Sequence, residues 1–356
     1  MTLVRFSQPP ASALCSAAPG PGCRGFFLRA AGPARRLTAA LAANDRVVLG
    51  CGLLTLDYLA TVDAYPRPDD KIRTGGLQIS GGGNAGNALT GAARLGLNTR
   101  LISKVGNDEF GETVLQELKE VGIDISHVII SDGGNTTFSY VIIDKQTTVQ
   151  ADQVKIPILV DAEPERTKAE LEGMLSVASY IVCSAKFPEK WTSIPSIPSA
   201  LLEILLQYPR AKFVIITLGE NGCMMLERSQ QGDQSGIDAA DIENVAESLK
   251  LEVHKDDILP TCVSSKFMRL SGRGFGTLFG RLLIGTAENI PASELVDTTG
   301  CGDAFIGAVL HGVSTEMPPE KMLPFACQVA AIKCRAVGAR AGLPWQSDPR
   351  LAKFLG

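Results

Sequence analysis

Three short, unbroken apolar runs constrain this chain more than anything else in it: Ile156 to Val160, Tyr180 to Cys183 and Phe213 to Leu218. Such runs, separated by stretches of helical spacing, are strands covered on both faces, because a half-solvated strand would alternate apolar with polar residues. Two covered faces need helices on both sides of one sheet, which predicts a layered α/β fold with a mostly parallel sheet. Arg46 to Leu56 and Thr99 to Val105 read as further strands. At 356 residues and 45% apolar, the chain has material for one large core. Its longest apolar run, Val47 to Leu56, is about half of the roughly 20 residues that a membrane-spanning helix needs.

The intervening segments follow from period and breakers. Asp63 to Asp70 holds Pro66 and Pro68 and cannot be helical. Thr74 to Ser80 is extended, Gly81-Gly82-Gly83 breaks the chain, and Asn84 to Leu95 has helical spacing up to Gly96. Asp108 to Val121 predicts a helix, His127 to Ile130 and Thr137 to Ile143 predict strands, and Gln230 to Leu249 predicts a partial helix. Gly272 to Gly285 reads as a glycine-punctuated hairpin, and helices over Gly302 to Ser314 and Pro319 to Ala336 close the chain.

Charge divides the molecule in two. Residues 1–44 hold five Arg but no Asp, Glu or Lys, together with 11 Ala and five Pro, the composition of an organelle transit peptide. The Pro content opposes a continuous helix and favours plastid over mitochondrion. Residues 45–356 form the remaining domain and carry all 38 acidic residues, so no basic footprint for nucleic acid or an anionic membrane is expected. The nine Cys are scattered without a C-x-x-C pair and the three His are isolated, which argues against zinc and against a disulfide framework.

Two glycine-rich helix starts carry the candidate chemistry. Gly81-x-Gly83-x-x-Gly86 spells a dinucleotide fingerprint with Asp108 about 20 residues on, but it does not directly follow the first buried strand, so a nicotinamide enzyme is a distant alternative. The second start is Asp297-Thr298-Thr299-Gly300-Cys301-Gly302-Asp303. Gly300 and Gly302 allow a tight turn whose N–H groups form an anion site at the positive end of a helix dipole. Asp303 beside such a nest is placed as a general base next to a transferring phosphoryl group. Cys301 sits where the dipole and free N–H groups would favour a thiolate. No Walker P-loop or protein-kinase motif is present.

Four segments, taken in order, resemble the PfkB, or ribokinase-like, carbohydrate kinases: Gly82-Gly83-Asn84-Ala85-Gly86-Asn87 with Ala92 to Gly96; Val105-Gly106-Asn107-Asp108 with Gly111; Thr217-Leu218-Gly219-Glu220-Asn221-Gly222; and Asp297 to Phe305. The resemblance spans Arg46 to Arg350 and implies a three-layer α/β/α fold with a small β lid, parts of it near 70–80 and 135–150. It implies phosphoryl transfer from ATP to a hydroxyl of a sugar or nucleoside. Asp57, Gly83, Asn84 and Asn87 would clamp the acceptor hydroxyls. Thr217, Gly219, Gly222 and Thr298 would meet ATP, and Gly300, Cys301 and Gly302 would supply the anion hole for Asp303. Mg2+, a monovalent cation such as K+ and a homodimer through the lid belong to the same expectation.

Three departures qualify it. Cys301 stands where the family has Ala. Lys186-Phe187-Pro188-Glu189 stands where it has Asn-x-x-Glu, which leaves Glu189 as the magnesium candidate without its amide partner. Only Lys145 to Lys155 separates the second lid strand from Ile156, too little for the strand and helix that intervene in the family. Either a βαβ segment is missing or the topology is rearranged. The alternative function is then a catalytically inert, kinase-like binding protein.

Overall fold

The computed structural model describes residues 3–7, 47–61, 76–136, 157–164, 167–229, 239–254, 257–272, 274 and 276–355. The central sheet draws on β1 (Leu3–Ser7), β2 (Val47–Cys51), β5 (Asn98–Gly106), β6 (Asp124–Ser131), β7 (Ile158–Ala162), β8 (Tyr180–Ser184) and β9 (Phe213–Thr217). It continues through β10 (Cys223–Arg228), β11 (Ala240–Asp241), β12 (Cys262–Ser264), β13 (Met268–Ser271) and β14 (Thr277–Gly285). Strand order is β11-β13-β14-β10-β9-β8-β7-β1-β2-β5-β6, with β12 also pairing to β14. Strands β3 (Thr55–Thr61) and β4 (Gly76–Gly82) form a separate antiparallel pair.

Nine helices are described: α1 (Asn84–Arg94), α2 (Glu109–Glu120), α3 (Lys168–Leu175), α4 (Phe187–Thr192), α5 (Ile197–Gln207), α6 (Ile242–Glu252), α7 (Cys301–Ser314), α8 (Pro319–Lys333) and α9 (Ala352–Leu355). Alternate residues of one strand enter different cores, as the apolar runs predict. Val182 and Ile215 pack with α1, α2, α7 and α8, whereas Ile181, Cys183, Val214 and Ile216 pack with α3, α5 and α6. That is the three-layer α/β/α arrangement.

Pairing fixes where a site must lie. Strands β7, β8 and β9 are mutually parallel, as are β2, β5 and β6, and β1 is antiparallel to both of its neighbours, β2 and β7. Six strands therefore point the same way, and their carboxyl ends share one edge, where ligands of open α/β sheets bind.

Several expectations change. Arg46 to Leu56 is not one strand: the chain leaves the sheet after Cys51 and restarts as β3, the first strand of the lid pair. Strand β10, which packs Met224 and Leu226 into the core, was hidden by the turn motif before it. The predicted strand Thr137 to Ile143, and with it most of the lid part near 135–150, lies outside the described residues, as does Asp63 to Asp70. No further strand or helix is described between β6 and β7. The sheet position between β2 and β7 is taken instead by β1, from within the segment read as a presequence.

Candidate active site

Helix α7 starts at Gly300, whose φ of 74° is left-handed, and a Cβ there would lie 2.6 Å from the Ala339 Cβ. Only glycine meets both conditions. The turn before it is held from behind. Asp297 accepts from the Thr299 amide and hydroxyl at 2.8 and 2.7 Å and from the Gly338 amide at 2.7 Å, while buried Lys333 donates to its carbonyl at 2.8 Å. Gly302 is different, because a Cβ there would meet nothing within 4 Å. Side-chain space is therefore open at Gly302 on the outer side of the helix start, although the Cys301 amide is itself spent on the Thr298 carbonyl at 3.1 Å.

Asp303 lies in the first turn of α7, and its Oδ2 accepts from Asn87 Nδ2 at 2.9 Å. Burial pushes its carboxyl up to about 7; the Asn87 bond opposes that, and the charges of Glu163 and Cys301 add to it. A carboxyl poised there is suited to take a proton from a hydroxyl near neutral pH. Asp161, at the carboxyl end of β7, is buried and pushed up to about 8 by desolvation, then by Glu163 and Asp303. Asn84 donates to Glu163. The two acids follow the apolar run Ile158 to Val160 directly, a signal in the sequence that could have singled them out.

The residues expected to form the acceptor clamp lie close to one another. Asp57 lies on β3 opposite Ser80 of β4, takes a hydrogen bond from Thr55 Oγ1 at 2.8 Å, and folds over Gly82, where a Cβ would lie 2.0 Å from its Oδ2. Gly83 has φ 88°, and a Cβ would lie 2.4 Å from the Leu53 carbonyl oxygen. Ser80 Oγ is buried without a hydrogen-bond partner among the described residues. Asp57, Gly83, Asn84, Asn87 and Asp303 thus meet between the lid pair, α1 and α7.

Thr217, Gly219 and Gly222 sit at the carboxyl end of β9 and Glu189 on α4, after β8, along the same sheet edge. Gly222, with φ 80°, closes its turn against the Gly285 carbonyl, 2.1 Å from where a Cβ would be. None of these four shares a hydrogen bond with the Asp303 cluster among the described residues. Among those residues there is also no set of three His, Cys, Asp or Glu arranged to hold a metal ion.

Cys301 hydrogen-bonds the thiol of Cys334, and that bond, with Lys333 and the local N–H groups, outweighs burial and brings Cys301 down to about 6. The sequence pointed to the helix start; the larger cause is a second cysteine that it did not single out.

The dinucleotide alternative loses its geometry. Gly81-x-Gly83-x-x-Gly86 follows the lid strand β4, and Asp108 is spent capping α2, accepting from the Gly111 and Thr136 amides at 2.7 and 2.8 Å. Its glycines are empty for another reason. A Cβ at Gly81 would lie 2.1 Å from Arg340 Nη1, and one at Gly86 would lie 2.3 Å from Arg340 Nη2. Arg340, a lone cation among small residues near the end of the chain, went unnoticed in the sequence.

A helix-covered sheet, a carboxylate at a Gly-x-Gly helix start and a β lid at the strands' carboxyl edge define a ribokinase-like protein. The pattern of the pfkB family of carbohydrate kinases matches residues 48–153 and 285–346, and the chain belongs to that family. Mouse ribokinase is 25% identical over 322 residues, covering 86% of this chain and 94% of its own. Arabidopsis thaliana ribokinase complexed with ribose and ATP superposes with a TM-score of 0.58 at 15% identity, covering 87% of this chain and 97% of its own. Burkholderia thailandensis nucleoside kinase in complex with inosine gives 0.57 at 18%, covering 86% and 97%. At those identities the two structures establish the fold.

Proposed function

We propose that this chain transfers a phosphoryl group from ATP to a hydroxyl of a sugar or nucleoside. The observation that carries the reading is the meeting of Asp303 with Asn87 under the β3–β4 pair, beside an open helix start. Asp57 and the Asn84 and Asn87 amides, donors and acceptors of fixed direction, hold the acceptor's hydroxyls. Asp303 takes the proton of the attacking hydroxyl. The N–H groups at Gly300 and Gly302 stabilise charge where it develops on the phosphoryl oxygens, the Cys301 N–H being held by the Thr298 carbonyl. Bound ATP supplies the phosphoryl group, and Mg2+ travels with it. One or two carboxylates suffice for such a cation, and Glu189, exposed on α4 after β8, is the candidate, with Lys186 where the family's amide would be. The lid pair excludes water when closed.

Two further parts of the reading rest on lesser observations. Tyr58 and Ile79, paired across the lid on the face opposite Asp57, are 47% and 49% exposed, which supports a homodimer through the lid. The acid-free composition of residues 1–44 supports delivery to a plastid, with the mitochondrion as the alternative.

ADP release from the full chain with Mg-ATP and K+, over a panel of pentoses, hexoses and nucleosides, tests the activity. At least one acceptor is expected to raise the rate more than about tenfold over the acceptor-free control. No response to any acceptor would favour the inert binding protein.

A further inference from the structure

Arg340 is one of the few charged side chains buried among the described residues, at 5% exposure, and each of its three donor nitrogens has an acceptor. Nη2 donates to the Gly82 carbonyl at 2.7 Å, Nη1 to Glu117 Oε2 at 3.2 Å and Nε to Asn87 Oδ1 at 3.0 Å. Glu117 in turn accepts the Gly81 amide at 2.9 and 3.1 Å. The loop carrying Arg340 is tied to the anion turn: Gly338 donates to Asp297 and Ala339 packs on Gly300. One guanidinium therefore joins the end of the lid strand, α1, α2 and the turn that starts α7. Burial pushes it down to about 10, so it stays cationic at neutral pH.

The chemistry of the donors gives this arrangement a direction. Arginine has no acceptor, so the atom of Asn87 facing Nε must be its carbonyl oxygen. The amide nitrogen of Asn87 must then face Asp303, and it donates to Oδ2 at 2.9 Å. With Oδ2 occupied, Oδ1 is left for the acceptor hydroxyl. A neutral or absent side chain at 340 would free the amide to flip and present oxygen to oxygen.

Resting on the kinase reading, we propose that Arg340 is a positioning residue: it locks the Asn87 amide in the orientation that holds Asp303 as the base, and it couples that orientation to the Gly81–Gly82 end of the lid. Other groups facing Asp303 are Asp161 at the end of β7, Glu163 just beyond it and Cys301 on its own turn, all anionic when ionised; Arg340 is the cation that acts on Asp303, while Lys333 acts on Cys301 and Asp297.

The test uses the full chain with 13C-labelled Asp carboxyls, the Asp303 signal being assigned by its loss in Asp303→Asn. In Arg340→Gln the Asp303 titration moves to higher pH than in the parent. The acid limb of kcat moves with it, and kcat falls about tenfold or more, beyond whatever rise in acceptor KM the turned Asn87 amide brings. Arg340→Lys keeps the charge but cannot bridge three acceptors, so its acid limb stays nearer the parent's. Because Arg340→Gln strands Glu117 and could fail to fold, Glu117→Gln/Arg340→Gln removes both charges and is expected to show the same upward titration. If either folded variant titrates Asp303 where the parent does, with only its melting temperature changed, Arg340 is structural and the inference is overturned. A parent that releases no ADP sinks the kinase reading alone, since the carboxyl titration still decides this one.

Discussion

Asp303 shows at the scale of one residue how a functional group opposes stability. In an unfolded chain an Asp titrates near pH 3.9, whereas in the fold burial holds this one at about 7. Between those values the native state binds the extra proton, so the contribution is fully present below about pH 4 and is lost as pH rises through about 7. Asp161, held near 8, acts with the same sign. Melting temperature is therefore expected to fall from pH 5 to pH 8. Asp303→Asn has no charge to bury and should flatten that slope and melt higher than the parent at pH 8. The same variant should lower turnover by about 10²-fold or more with ATP and acceptor binding nearly intact. A plain helix-start acid predicts the reverse, a stability loss of about 0.3–1 kcal/mol and unchanged turnover. Calorimetry across pH and steady-state rates on one preparation separate the two.

Between elements, the distance from Asn87 to Asp303 is set by how closely α1 and α7 approach. A Cβ at Gly307 would lie 2.8 Å from the Ala88 carbonyl oxygen, and Gly91 faces Gly307 from the other helix. Gly307→Ala should push the helices apart, destabilise by about 1–3 kcal/mol and cost more activity than that stability loss explains. An alanine variant with parental melting temperature and kcat would show that the contact yields freely. Much of this was legible. Helix α1 ends where Gly96 predicts, α2 lies within a residue of the predicted Asp108 to Val121, and the buried strands β7, β8 and β9 sit within a residue or two of their apolar runs. What was not legible lies in contacts distant in sequence. The Gly81–Gly86 string looks the same whether it makes room for a phosphate or for Arg340, some 250 residues away, and no local pattern tells those apart. The break after Cys51 was hidden because β2 and the lid strand β3 are both apolar and adjacent.

For the whole molecule the decisive feature is the seat between β2 and β7. These strands run parallel one position apart, and the backbone groups they turn toward each other must be paired, because buried N–H and C=O groups left unpaired are costly. In the described structure five residues, Leu3–Ser7, make that pairing, Leu3 with Cys51 and Val160 and Arg5 with Leu49 and Ile158. The same residues belong to the segment whose composition reads as a cleavable presequence, so processing at about residue 44 would open the sheet at its centre and separate β7, β8 and β9 from β2, β5 and β6. A chain beginning at Asp45 is accordingly expected to be less soluble than the full chain and to lose its cooperative thermal transition or melt well below it. A peptide of residues 1–10 added in trans should restore part of the difference if β1 is what fills the seat. A truncated chain that melts cooperatively above about 50 °C and keeps full kinase activity would show that this seat is closed without β1. The distinction matters for function, because Asp161 ends β7 and Glu163 follows it while Asp57 and Asn84 follow β2, and the strand between them holds the two halves of the site in register.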